Sequence, residues 1–154
     1  MSRKIDALDR KIVESLSRDG RQSFRKLARS LKVSIATAIS RVKKLEQEGI
    51  IRGYTIRADS EKLGYDLTAV IEVSVSKGRL VDVERMIAAM EAVTCVYDIT
   101  GDTDVVLIAK FQGRKDLNSF VKALLAIEHV EHTNTRIVLN TVKEEVNLPG
   151  AVRT

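Results

Sequence analysis

The chain has 154 residues, 44% hydrophobic and 31% charged, with a net charge of +5. This is ordinary globular composition, enough for one domain or two small ones, and it excludes collagen-like, disordered and disulfide-scaffold classes. The longest wholly apolar run in the second half, 105–109, is far short of the roughly 20 residues of a membrane helix. Residues 1–11 lack the apolar stretch and small-residue cleavage site of a secretory signal, so a cytoplasmic protein is expected. The single cysteine, Cys95, admits no intrachain disulfide and agrees with that expectation.

Charge is unevenly placed. Residues 1–57 hold 15 Lys/Arg against 6 Asp/Glu, net +9, whereas residues 58–154 hold 11 against 15, net −4. A compact basic segment joined to a mildly acidic one points to a polyanion as partner of the first and a separate task for the second.

Three helices are expected in the basic segment. Ile5, Leu8, Ile12 and Leu16 recur at intervals of three and four, with Val13 beside them, and form one apolar stripe. Asp6 is placed to cap this helix, Asp9 sets a second acid near the positive end of its dipole, and Gly20 offers a stop. Ser23 is a fresh N-cap for a short helix with Leu27, Ala28 and Leu31 inward and Arg25, Lys26 and Arg29 outward. After the turn at Leu31, Lys32 and Val33, Ser34 caps a third helix running to about Glu48 and stopping at Gly49.

At 100° per residue, Ala38, Val42 and Leu45 share one narrow arc of this third helix and should pack inward. The opposite arc carries Ala36, Thr37, Ser40, Lys43, Lys44 and Gln47. Short polar or methyl-bearing groups that approach base edges, flanked by cations that reach phosphates, are what a helix in the DNA major groove requires. Arg41 sits on the border, able to reach a phosphate or base or to pair within the domain. Short helix, tight turn and longer basic helix together make a helix-turn-helix, with Lys32 where glycine is usual because φ there is often positive.

Residues 50–57 are β-prone and bounded by glycine, and predict a strand followed by a polar connector, 58–66. The pattern then changes. Residues 68–75 read as a strand, 81–90 as a helix with Val83, Met86, Ile87 and Met90 on one side, and 93–100 as a strand. A turn at 101–104 leads to a strand at 105–111, a helix marked by Leu117, Phe120, Val121, Leu124 and Leu125, and a long strand over 130–142. The order βαββαβ predicts a ferredoxin-like antiparallel sheet with both helices on one face, so the class is α+β, with a helix-turn-helix domain at 1–57 and a ferredoxin-like domain at 67–154. No further helix remains for the other sheet face, and a homodimer is the simplest cover.

Residues along almost the whole chain carry a family resemblance. They are Asp19-Gly20-Arg21, Leu27-Ala28, Val33-Ser34, Lys43-Lys44-Leu45-Glu46, Gly49-Ile50-Ile51, Gly53-Tyr54-Thr55, Leu63-Gly64, and the runs 100–104 (TGDTD) and 133–139 (TNTRIVL), followed by Lys143-Glu144-Glu145 and Leu148-Pro149. In this order the chain resembles the Lrp/AsnC, or feast-famine, transcription factors. The resemblance implies a winged or extended helix-turn-helix bound to double-stranded DNA. It also implies a C-terminal domain similar to amino-acid-binding ACT domains that forms dimers and often octamers of four dimers. It makes Ser34 to Gln47 the reading helix, on which Ser34, Ala36, Thr37, Ser40, Arg41, Lys43 and Lys44 are the expected DNA contacts. The implied effector region is Thr100, Gly101, Asp102, Thr103 and Asp104 with Thr133 and Thr135. The chemistry of an amino acid fits: Gly101 allows backbone approach, Asp102 or Asp104 can accept from an ammonium, and threonine hydroxyls serve either end. Thr103 stands where the family commonly has an aromatic, and Glu128-His129 where it has Pro-Gly. Asn118 and Lys122 are candidates to project toward the same site.

Enzymatic signatures are absent from the sequence: it carries no P-loop, dinucleotide fingerprint or serine-hydrolase motif, and no cofactor is expected. His129 and His132, three apart at a strand, point to opposite faces and do not suggest a metal site. Two other readings stand beside a sequence-specific regulator: a nonspecific DNA-wrapping protein, and an ACT-like small-molecule-binding domain.

Overall fold

The computed structural model describes residues 5–145. They fall into two compact units, the first taking in residues up to Arg57 together with 143–145, the second spanning Ala58–Val142. Leu148-Pro149 of the family pattern lie outside the described residues.

The first unit contains α1 (Ala7–Arg18), α2 (Phe24–Leu31) and α3 (Ile35–Gln47). All three start where a short polar side chain can accept from a free backbone N–H. Asp6 and Asp9 form a reciprocal capping box, the Asp9 amide donating to Asp6 Oδ1 at 2.9 Å and the Asp6 amide to Asp9 Oδ2 at 3.2 Å. Ser23 Oγ accepts from the Lys26 amide at 3.2 Å, and Ser34 Oγ from the Thr37 amide at 3.0 Å. Inward faces meet in a core of Ile12, Leu27, Ala28, Ala38, Val42 and Leu45, with Leu8, Val13, Leu16, Ile50 and Ile51 packed on it.

Lys32 closes α2 in the left-handed region, with φ 56°, so the turn keeps the geometry that usually selects glycine. Gly20, by contrast, is not in that region: α1 ends on Arg18 with Asp19 as its C-cap. The strand expected over 50–57 does not form. The amides of Ile50 and Ile51 both turn back to the Leu45 carbonyl, at 2.9 and 3.1 Å, and 52–59 carries no regular structure. These two isoleucines close the end of α3, and an extended strand without a neighbour would leave its own backbone groups unpaired.

The second unit runs β1 (Leu67–Val75), α4 (Leu80–Ala88), β2 (Val93–Asp98), β3 (Val105–Phe111), α5 (Arg114–Leu125) and β4 (Val130–Ile137). Its strands lie in the order β2-β3-β1-β4, every neighbouring pair antiparallel. This is the expected ferredoxin-like arrangement. Alternation along β1 and β3 sends Ala69, Ile71, Val73, Val105, Leu107, Ala109 and Phe111 to the helix side, where Val83, Ile87, Phe120 and Leu124 cover them. The ring of Phe120 meets that of Phe111 edge to face at 5.2 Å.

Two stripes are narrower than expected. Met86, at 42% exposure, and Leu125 both lie outside the core, because each sits at the rim of its stripe, 100° round the helix from the buried Ile87 and Leu124 respectively. β4 ends at Ile137 rather than 142. Its partner runs out: Ile137 pairs with Ala69, the Val138 amide reaches Thr68 O at 2.9 Å, and β1 has begun only at Leu67.

His129, in the turn before β4, has φ 75°. A side chain in the left-handed region costs roughly 1–2 kcal/mol, partly offset on going to glycine by the larger entropy of the unfolded chain. Lys32→Gly and His129→Gly should therefore each stabilise by about 0.5 kcal/mol, and His129→Val should destabilise. Urea unfolding midpoints measure this, and a lower midpoint for either glycine variant would refute the strain.

Candidate DNA interface and effector region

The polar side chains of α3 divide into those already bonded and those left free. Ser34 Oγ and Thr37 Oγ1 lie 2.8 Å apart, so both hydroxyls serve the N-terminal turn. Arg41 Nη1 donates to Asp9 Oδ1 at 3.0 Å and also to Asp6 Oδ2. Those acids, Asp6 first, raise the already high pKa of the guanidinium. Of the two alternatives open for Arg41, it is pairing within the domain that the structure displays. Glu46 Oε1 accepts from Tyr54 Oη at 2.8 Å.

Ala36, Ser40, Lys43, Lys44 and Gln47 remain, all exposed. None of the four polar ones makes a side-chain hydrogen bond or ion pair among the described residues. They form one outward strip opposite Ala38, Val42 and Leu45. On α2, Arg25 and Arg29 are exposed and likewise unpaired among the described residues, while Lys26 is held by Asp19 at 2.7 Å. The Lys26 hydrogen bond in turn keeps the Asp19 carboxyl below its ordinary range.

In the sequence Asp6 and Asp9 stand only as a cap and an acid at the helix dipole; the fold adds that the same carboxylates seat Arg41. Buried acidic character at Asp9, inside an apolar stripe, was the available signal. Tyr54 too gains its partner only in the fold. Its ring lies near the α1–α2 turn, where a Cβ on Gly20 would come 3.7 Å from Tyr54 Cδ1. Although 53% of the residue is exposed, burial around the hydroxyl and the Glu46 carboxylate push its pKa from 10.0 up to about 12.

In the second unit the loop 100–104 and Thr133 come to the same end of the sheet, whereas Thr135 stands opposite Ile71 at the middle of β1. Gly101 has φ 134° and open space around its Cα, and Thr100 and Asp102 are exposed. Thr103 is half-buried. Asp104 anchors the loop: its Oδ2 accepts from the Val75 amide at 2.8 Å, its amide donates to Val73 O at 3.1 Å, and its carbonyl accepts from Ile99 at 3.0 Å. Thr133 and Thr135 stand opposite Val73 and Ile71, on the helix side of the edge strand β4, half-buried. Thr133 and Val105 flank Val73 on either side, two strand spacings or roughly 10 Å apart. Asn118 and Lys122 are exposed on α5.

On the other sheet face Val70, Val106, Ile108 and Cys95 are half-buried and Tyr97 is exposed. Beside them Glu72 accepts from Arg136 Nη1 at 2.6 Å and Asn134 Nδ2 at 3.1 Å.

Residues 68–148 match the family model of the Lrp/AsnC ligand binding domain, and residues 5–52 match that of a winged helix-turn-helix DNA-binding domain. The chain belongs to the Lrp/AsnC family. It is a DNA-binding transcriptional regulator of that type. An HTH-type transcriptional regulator of Pyrococcus horikoshii is 48% identical over 145 residues, covering 94% of this chain and 98% of the relative. Among solved Lrp/AsnC-like structures, a transcriptional regulator of Neisseria meningitidis in complex with L-Met is 28% identical, with TM-score 0.86, covering 95% of this chain and 97% of that one. The feast or famine regulatory protein of M. tuberculosis, complexed with L-methionine, is 26% identical with TM-score 0.87, covering 94% and 99%.

Two predictions follow from these bonds. The protonated Tyr54 phenol is favoured in the folded chain, so its contribution to stability is whole below pH 10 and is lost as the pH rises through about 12. The stability difference between wild type and Tyr54→Phe should shrink over that window in thermal melts, and a constant difference would refute the assignment. Asp104→Ala leaves the Val75 amide without its partner and should cost about 1–3 kcal/mol in urea unfolding with no ligand present. An unchanged midpoint would show the bond to be dispensable.

Proposed function

We propose that this regulator reads operator DNA as a homodimer through α3 and responds to an amino acid bound at the loop end of the sheet. The observation that carries the reading is the exposed strip on α3, whose polar side chains are unpaired among the described residues. Ala36 and Ser40 are short enough to approach base edges, and Lys43, Lys44 and Gln47 extend to the flanking backbone. Ser34 and Thr37 set the helix N-terminus against the groove.

The half-buried apolar sheet face of Val70, Val106, Ile108 and Cys95 supports a second copy as its cover. A two-fold pair then places two reading helices about one DNA turn, roughly 34 Å, or a multiple apart. Four such dimers closing into an octamer would bring loop ends of neighbouring dimers together. Thr100, Gly101, Asp102, Thr103, Thr133 and Thr135 supply the backbone approach, acid and hydroxyls that a zwitterion needs, with Asp104 holding the loop. The methionine complexes of the Neisseria and M. tuberculosis proteins support an amino acid as effector. The protein acts in the cytoplasm and by binding, not by catalysis.

Light scattering on the eluting protein, with and without a panel of amino acids, tests assembly and response together. A monomer indifferent to every amino acid would refute both. For DNA, Ser40→Ala should change base preference, whereas Lys44→Ala should weaken all sequences alike and lower the log–log salt slope by about 1. The reverse assignment in a binding-site selection would reject the phase given to α3.

A further inference from the structure

We infer that Arg41 is a positioning residue that fixes the rotation of α3 about its own axis, and not a contact to DNA. The inference rests on the reading of α3 as the DNA-facing helix. Its guanidinium is seated on α1: a single nitrogen, Nη1, meets Asp9 Oδ1 at 3.0 Å and Asp6 Oδ2 as well. Asp9 is only 1% exposed, and both acids are also bonded to each other's backbone amides. Two carboxylates hold the one cation, so its charge is already met within the first unit. Arg41 is therefore neutralised where it stands, and Asp9 has no water to replace it as partner.

Geometry explains why this matters for reading. Arg41 lies 60° round the helix from Ala38, and Ser40 lies 160° from Ala38 in the same direction, a further 100° on and within the outward strip. With side chains at a radius of 5–6 Å, a 20° roll of α3 moves the tips of Ala36 and Ser40 by roughly 2 Å, enough to break a base-edge contact. Lys43 and Lys44 have long flexible stems and follow a phosphate through the same roll. Loss of the Arg41 seat should thus remove discrimination between sequences while leaving the electrostatic attraction in place.

The experiment uses the full chain and a site selected from random DNA, compared with a scrambled duplex across a salt series. Arg41→Gln and Asp9→Asn should each lower the selected-to-scrambled affinity ratio by about tenfold or more while affinity for scrambled DNA and the salt slope stay near wild type. Arg41→Lys should restore most of the ratio, since one nitrogen serves both acids. A phosphate contact predicts otherwise: Arg41→Gln would lose affinity on every sequence with the slope reduced by about 1, and Asp9→Asn, by releasing Arg41, would tighten binding. That pattern, or wild-type ratios in both variants, overturns the inference. Should Asp9→Asn fail to fold, Asp6→Asn with Arg41→Lys decides the matter by the same ratio. A wild-type protein that shows no preference for any sequence would refute the DNA-reading proposal itself, which is a separate result.

Discussion

A polar group taken out of water must find a partner, and that requirement sorts the residues of this protein into framework and free surface. No buried side-chain nitrogen or oxygen is without one among the described residues. Asp9 is the sharpest case. Set in the apolar stripe of α1, it accepts from the Asp6 amide and from Arg41, and so ties the start of α1 to the middle of α3 across 32 residues of sequence. Replacing one member would leave a charge in a site built for a pair, which is costlier than never having had the pair.

The same rule organises the sheet unit. β1 is central, bonded to β3 on one side and β4 on the other, so each of its alternate residues from Ala69 to Val75 is buried against α4 and α5. Where β1 stops pairing with β3, the Val75 amide would be left open at the sheet end; the Asp104 carboxylate takes it. That bond draws the loop before β3 onto the end of β1 and leaves Gly101 and Asp102 outside. A rigid anchor beside a permissive glycine is a good support for a ligand-facing loop, because the framework residue and the exposed residues are adjacent in sequence but different in task.

Chemistry-bearing residues therefore fall into two sets in each unit. On α3, Ser34, Thr37, Arg41 and Glu46 are engaged, while Ser40, Lys43, Lys44 and Gln47 are unpaired among the described residues. At the sheet end Asp104 is engaged, while Thr100 and Asp102 are available. A residue of the right type on the right arc is thus not enough to make a contact: its hydrogen-bonding capacity must also be unused. Affinity for a polyanion follows from the unengaged cations, and discrimination follows from the short side chains, whose reach is set by the engaged ones.

The sequence by itself determined most of what depends on neighbours within a few residues, although not the stop of α1, which falls at Arg18 with Asp19 as C-cap. Capping at Asp6, Ser23 and Ser34, the inward arc of Ala38, Val42 and Leu45, the left-handed demand at Lys32 and the βαββαβ order are local patterns of spacing and side-chain chemistry, and a chain obeying them has few folds open to it. Only the tertiary structure decided the rest. Residues 50–57 have strand propensity but no strand to pair with; β4 stops at Ile137 because β1 supplies no further partner. Met86 lies at the rim of the predicted stripe, 60° round α4 from Val83 and 100° from Ile87, and the packed face of the helix excludes it. Arg41 and Asp104 were legible as charged groups near a functional surface, but which way each is used depends on acceptors and donors 29 to 35 residues away in the chain. Spacing along a helix or strand tells where a side chain points; only the packed fold tells what it finds there.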